Sequence, residues 1–169
     1  MSVKGITSQQ ARDDMKAVLL AIIVIAAAKA EGQEVRPCQE VNVGIETLVT
    51  PVANNVRSFY NNRIQIYNID TIEPAAASAG IAIVLPDNED PLGGSKCLAI
   101  RNLGGIDIKS ARASYDSVKG LSLSIPTRSI SSDGKSTPGP ALNILINLQE
   151  ASVKIAQDAK LNKTNSWAD

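Results

Sequence analysis

Leu142-Asn143-Ile144-Leu145-Ile146-Asn147-Leu148 carries the strongest alternation in the chain. Leu142, Ile144, Ile146 and Leu148 recur every second residue, the period of a strand with one buried face rather than of a helix. Upstream, Leu121, Leu123 and Ile125 alternate in the same way with Ser122 and Ser124, and Pro126 limits the end of that strand to a sheet edge or a bulge. Between them, Ser131 to Pro140 is polar and rich in glycine and proline, and reads as a long hairpin connection. Downstream, Val153 and Ile155 sit in the opposite phase, which places a bulge near Gln149-Glu150-Ala151.

Further towards the N-terminus the same period holds. Ile64 and Ile66 alternate with Arg63, Gln65 and Tyr67, a half-buried strand. Ile81 to Leu85 is a short apolar run, stopped by Pro86 and the polar loop Asp87-Asn88-Glu89-Asp90-Pro91. Cys97 to Ile100 is another strand, with Gly104-Gly105 marking a turn or bulge after it. Asp116-Ser117 reads as a turn.

One stretch breaks the period. Val41, Ile45, Leu48, Val49, Val52, Val56 and Phe59 are spaced in steps of three and four and form a stripe on a helix, kinked or broken at Pro51. A helix with one apolar stripe must lie on the apolar face of the sheet, since both would otherwise be exposed. The expected fold is therefore α+β: an N-terminal amphipathic helix packed on a curved antiparallel β-sheet built as a meander.

Composition narrows the function. The 169 residues hold 17 basic and 17 acidic side chains, with 44% hydrophobic and only 3% aromatic content. Without a basic stripe or a stacking platform, nucleic acid is not an expected partner. Histidine is absent, which removes the commonest general base and metal ligand. No nucleophile elbow, phosphate loop or dinucleotide fingerprint is present, so no enzyme activity and no cofactor are expected. The acidic loop at Asp87 to Asp90 lacks the EF-hand spacing, and reads as solvated surface ahead of a weak calcium site.

Met15-Lys16 is followed by the apolar run Ala17 to Ala28 and by the small-x-small triplet Ala28-Lys29-Ala30. That pattern reads as a secretory signal over residues 15–30, with a mature domain over 31–169 ending in a loose polar tail. The run falls short of the ~20 residues of a membrane span. The alternative is a buried helix of the soluble protein. Asp13-Asp14 fits a signal peptide poorly, and residues 1–14 read as an upstream extension with Met15 as the start. Cys38 and Cys97 lie in the mature part, and an even count in an exported chain reads as a disulfide, with two free thiols as the alternative. Two thiols without histidine do not complete a tetrahedral zinc site. Asn162-Lys163-Thr164 is a glycosylation sequon for a chain in a eukaryotic secretory route.

The run Leu103-Gly104-Gly105-Ile106-Asp107-Ile108-Lys109-Ser110-Ala111-Arg112-Ala113-Ser114-Tyr115-Asp116, continued through Gly120 to Pro126 into Leu142 to Leu148, resembles the tubular lipid-binding proteins. The resemblance is especially to the arthropod takeout and juvenile-hormone-binding group and to the mite group 7 allergens. The chain departs from that group in length, in the distance between its cysteines and in lacking a closing C-terminal helix. The resemblance implies carriage of a lipid or other small hydrophobic ligand, in a channel along Ile64, Ile66, Leu121, Leu123, Ile125, Ile144 and Ile146. A filled core is the competing reading of the same residues. The chain would then be a structural, pilin-like or adhesive subunit, or a protein-recognition module with no small ligand.

Overall fold

A computed structural model of the chain describes residues 33–72 and 77–156, and antiparallel strands dominate them. The signal-like segment, residues 1–14 and the Asn162 sequon lie outside the described residues.

Five strands form one sheet in the order β1 (Val35–Pro37), β5 (Ser95–Leu103), β4 (Ala79–Pro86), β3 (Ile64–Asp70), β2 (Val56–Phe59). Four form a second, in the order β12 (Ser152–Ile155), β11 (Leu142–Asn147), β8 (Gly120–Ile125), β7 (Arg112–Asp116). A small third sheet joins β10 (Ser136–Pro138), β9 (Thr127–Ile130) and β6 (Gly105–Ile106). The chain leaves β8 through Pro126, whose missing N–H ends the ladder, and enters β9 of the small sheet one residue later.

The two large sheets face each other. Ile64, Ile66, Ile81, Ile83, Leu98 and Ile100 from one share a single aliphatic core with Leu121, Leu123, Ile125, Leu142, Ile144 and Ile146 from the other. The alternation seen in the sequence is the inward half of each strand, and Ile144 stands between Leu123 and Ile155 in register. Each such fully buried aliphatic side chain contributes roughly 1.5–3 kcal/mol of transfer free energy.

The five-stranded sheet is covered on its other face as well. Val41, Val43 and Leu48 lie over Ile69, Ala82 and Ala99. That explains why β4 reads as a continuous apolar run, since its odd positions face the sandwich and Ala82 faces the covering segment. Cys38 and Cys97 are bonded, with their Cα atoms 5.4 Å apart, which pins the segment to β5. Arg101 adds a hydrogen bond of 3.0 Å from Nη1 to the Val41 carbonyl.

The covering segment corrects the expected α+β fold. The stripe from Val41 to Phe59 is not a helix packed on a sheet. It is a set of short 3-10 turns, Cys38–Val41, Ile45–Thr47 and Val52–Asn54, followed by β2. Among the described residues only such short turns are helical. The reasons are local. Asn42 takes a left-handed conformation with φ of 52°, Pro51 supplies no N–H, and β-branched residues crowd the stretch. The spacing does not track burial here: Val41 is buried and Leu48 packs against the sheet, but Ile45 is 85% exposed and neither the second nor the third turn buries a residue.

The meander is corrected too. β2 to β5 do pair in chain order, but the single curved sheet is replaced by two facing sheets, the four-stranded one assembled from two hairpins, β7–β8 and β11–β12, separated in sequence by β9 and β10 of the small sheet. The phase change before Val153 comes from the turn of the second hairpin rather than from a bulge: Val153 pairs with Ile146 and is buried beside it.

A candidate recognition surface

The seven residues assigned to an apolar channel are all buried, from 0% exposed at Ile64, Ile125 and Ile146 to 5% at Leu121. They come together, but against one another, as the central layer between the sheets. Leu121 and Ile146 also floor a surface cleft of about 50 Å³, walled by Tyr60, Tyr115, Val118 and Asn147. A small-molecule site usually encloses about 300–1,000 Å³, so this cleft holds a few waters and no acyl chain.

The side chains around that cleft are of another kind. Tyr60 follows β2 directly, and Tyr115 lies in β7, each strand being an edge of its sheet. Their rings meet edge to face with centroids 5.2 Å apart. The neighbouring Tyr115 hydroxyl is the main cause that raises the Tyr60 phenol above its ordinary value. Tyr115 is 58% exposed and Val118, at the tip of the β7–β8 hairpin, 85%. The hairpin tip is rigid for its size, because the Asp116 carboxylate accepts hydrogen bonds of 2.8 Å from the backbone N–H groups of Val118 and Lys119. Those two bonds hold the Asp116 carboxyl below the usual carboxylate range.

Arg57 joins the two sheets at this edge. From β2 its Nη1 donates to the carbonyls of Ile108 at 3.4 Å and Lys109 at 3.2 Å, and to that of Ala111, just before β7. Its guanidinium lies 5.2 Å from the centre of the Phe59 ring. The segment leading into β7 is held further by Asp107, which accepts from the Ser110 hydroxyl at 2.6 Å and is lowered chiefly by that bond.

The acidic loop between β4 and β5 is engaged in its own geometry. Asp87 and Asp90 accept from the backbone N–H groups of Glu89, Leu92 and Gly94, and Asn88 donates to the carbonyls of Leu148 and Gln149. Among the described residues no three His, Cys, Asp or Glu side chains are grouped to hold a metal ion. Nor is any helix among them long and apolar enough to cross a membrane.

Pattern reading passed over Tyr60, which belongs to no alternating set, and took Tyr115 only as the last of the alternating Ala111, Ala113 and Tyr115. A usable signal was their scarcity: the chain has three tyrosines and one phenylalanine, and two of these four sit at one exposed rim. Comparisons with protein-family models, with curated proteins and with solved structures find no match for this chain.

Proposed function

We propose that the chain is a secreted, non-catalytic β-sandwich module that recognises protein through the rim carrying Tyr60, Tyr115 and Val118. The observation that carries this reading is the division of apolar surface. The aliphatic faces of both large sheets are spent on each other, while the exposed aromatic pair stands at two sheet edges. Tyrosine at a protein interface combines a large apolar area with a polar tip and loses little side-chain entropy, which is why it concentrates at binding hot spots. A disulfide that ties the covering segment to the sheet is compatible with an oxidising, extracellular setting.

The rival reading, a carrier of lipid or another hydrophobic molecule, needs the core to open along Ile144 and Ile146. Titration with a fluorescent fatty-acid probe separates the two. A packed sandwich gives no saturable binding at one probe per chain. Saturable binding that Ile144→Trp abolishes, with the fold retained by circular dichroism, would establish the carrier instead.

A further inference from the structure

We infer that the partner on this rim is a second copy of the same chain, added antiparallel to the free edge of β7 about a two-fold axis at Ser114. The inference rests on the reading of the rim as a protein-recognition surface and names its occupant.

Among the described residues β7 pairs with β8 on one side only, and all five of its residues are exposed. An unpaired edge offers a row of backbone donors and acceptors to any extended chain, and folded proteins usually guard against this. The other edges of the large sheets are guarded. β1 is three residues long and ends in Pro37, β12 is short and carries Lys154, and Arg57 of β2 turns inward to the carbonyls before β7. β7 has neither proline nor charge at its centre. Its sequence is Arg112-Ala113-Ser114-Tyr115-Asp116, with opposite charges at its two ends.

That order is self-complementary in one register. An antiparallel copy centred on Ser114 sets Arg112 against Asp116 of the copy, twice by symmetry, and Ala113 against Tyr115. Directly opposed residues in such a pair have Cβ atoms about 4.5–5.5 Å apart, within reach of a salt bridge. Centring the axis on Ala113 or Tyr115 leaves one charge of each strand opposite serine and the other unmatched. A parallel copy brings Arg112 alongside Arg112. Charge therefore selects one arrangement, and a two-fold axis closes it as a dimer instead of a fibre. The faces agree as well. Ala113 and Tyr115 share the side of β8 that bears Leu123 and Leu121, so the added strands would prolong the apolar face and cover Tyr115. Arg112, Ser114 and Asp116 share the other side, with Ser124 and Ser122.

The test is sedimentation equilibrium of the full chain with its disulfide intact, at low and high salt. The expected result is a monomer–dimer equilibrium that weakens as salt rises. Arg112→Asp should weaken it by about tenfold or more, since two attractive pairs become repulsive. Mixing Arg112→Asp with Asp116→Arg should restore dimer as a heterodimer, because each mismatched strand then meets its complement. Asp116 also caps the hairpin tip, so Asp116→Arg could fail to fold, and a second variant covers that case. Ser114→Cys should form an intermolecular disulfide rapidly under mild oxidation. Arg112→Cys should not, because the two introduced thiols would lie about 13 Å apart along the strands. A chain that stays monomeric at all concentrations, or a dimer indifferent to Arg112→Asp, overturns the inference. A monomer that nonetheless loses a stoichiometric complex with a different protein on Tyr115→Ala overturns the dimer alone and keeps the recognition reading. A salt-sensitive dimer that also binds fatty-acid probe at one per chain supports the dimer and overturns that reading.

Discussion

Ile144 touches both of its neighbouring strands and is 1% exposed, so truncating it opens a void that surrounding aliphatics cannot close without shifting two sheets. Ile144→Ala should cost about 2–5 kcal/mol, read as a fall in the urea midpoint at unchanged slope. A cost under about 1 kcal/mol would mean that the site was already loosely filled. Tyr60 makes a prediction of a different kind. Its phenol is raised, first by the neighbouring Tyr115 hydroxyl, so the folded state favours the neutral form. The associated stability is fully present below the ordinary phenol pKa of about 10 and is lost as pH rises through the higher folded value. Thermal unfolding measured across that alkaline window should show the chain losing stability faster than Tyr60→Phe. Identical profiles would show that the contact between the two hydroxyls contributes nothing.

Among the elements, the segment from Cys38 to Leu48 depends most on a single link. It contains only short turns, and it is attached to the five-stranded sheet by a few apolar contacts, the backbone bridge of Leu48 to Ile69, the Arg101 bond and the disulfide between Cys38 and Cys97, which closes a separation of 59 residues. Replacing both cysteines by serine should lower stability by roughly 4 kcal/mol on the chain-entropy model. Hydrogen exchange should rise first at Val43 and Val49, before the β4–β5 ladder. Uniform loss of protection across both sheets would contradict a locally tethered segment. The same segment marks where the sequence misleads. The strands β3, β4, β5, β8 and β11 were legible because each turns a set of aliphatics to the sandwich core, and β3, β4 and β5 turn further apolar residues to the covered outer face. The covering segment imitates a helical stripe in spacing only: Val41 is buried and Leu48 packs on the sheet while Ile45 is exposed, and spacing alone does not distinguish one helix from a chain of turns. The hairpin at Leu148 to Ala151 was legible only as a change of phase. Periodicity registers that change without saying whether the chain bulges or reverses.

At the scale of the whole molecule, the buried set was readable and its use was not. Alternation identified the residues that face inward, including all seven placed in a channel, but the same pattern serves a lined cavity and a filled sandwich. What separates them is the second sheet, and partner sheets are a matter of long-range pairing that local sequence does not encode. Tyr60 and Tyr115 meet across 55 positions of sequence, so their rim was invisible until the two edges were brought together.

The most direct test of a protein-recognition role is native mass spectrometry of the chain recovered from its natural source, before and after organic extraction. The expected result is a chain associated with protein, either itself or another, at whole-number stoichiometry and with nothing apolar to extract. A monomer that releases one equivalent of a lipid or other hydrophobic molecule would contradict it, and would make the aliphatic layer between the sheets a binding site.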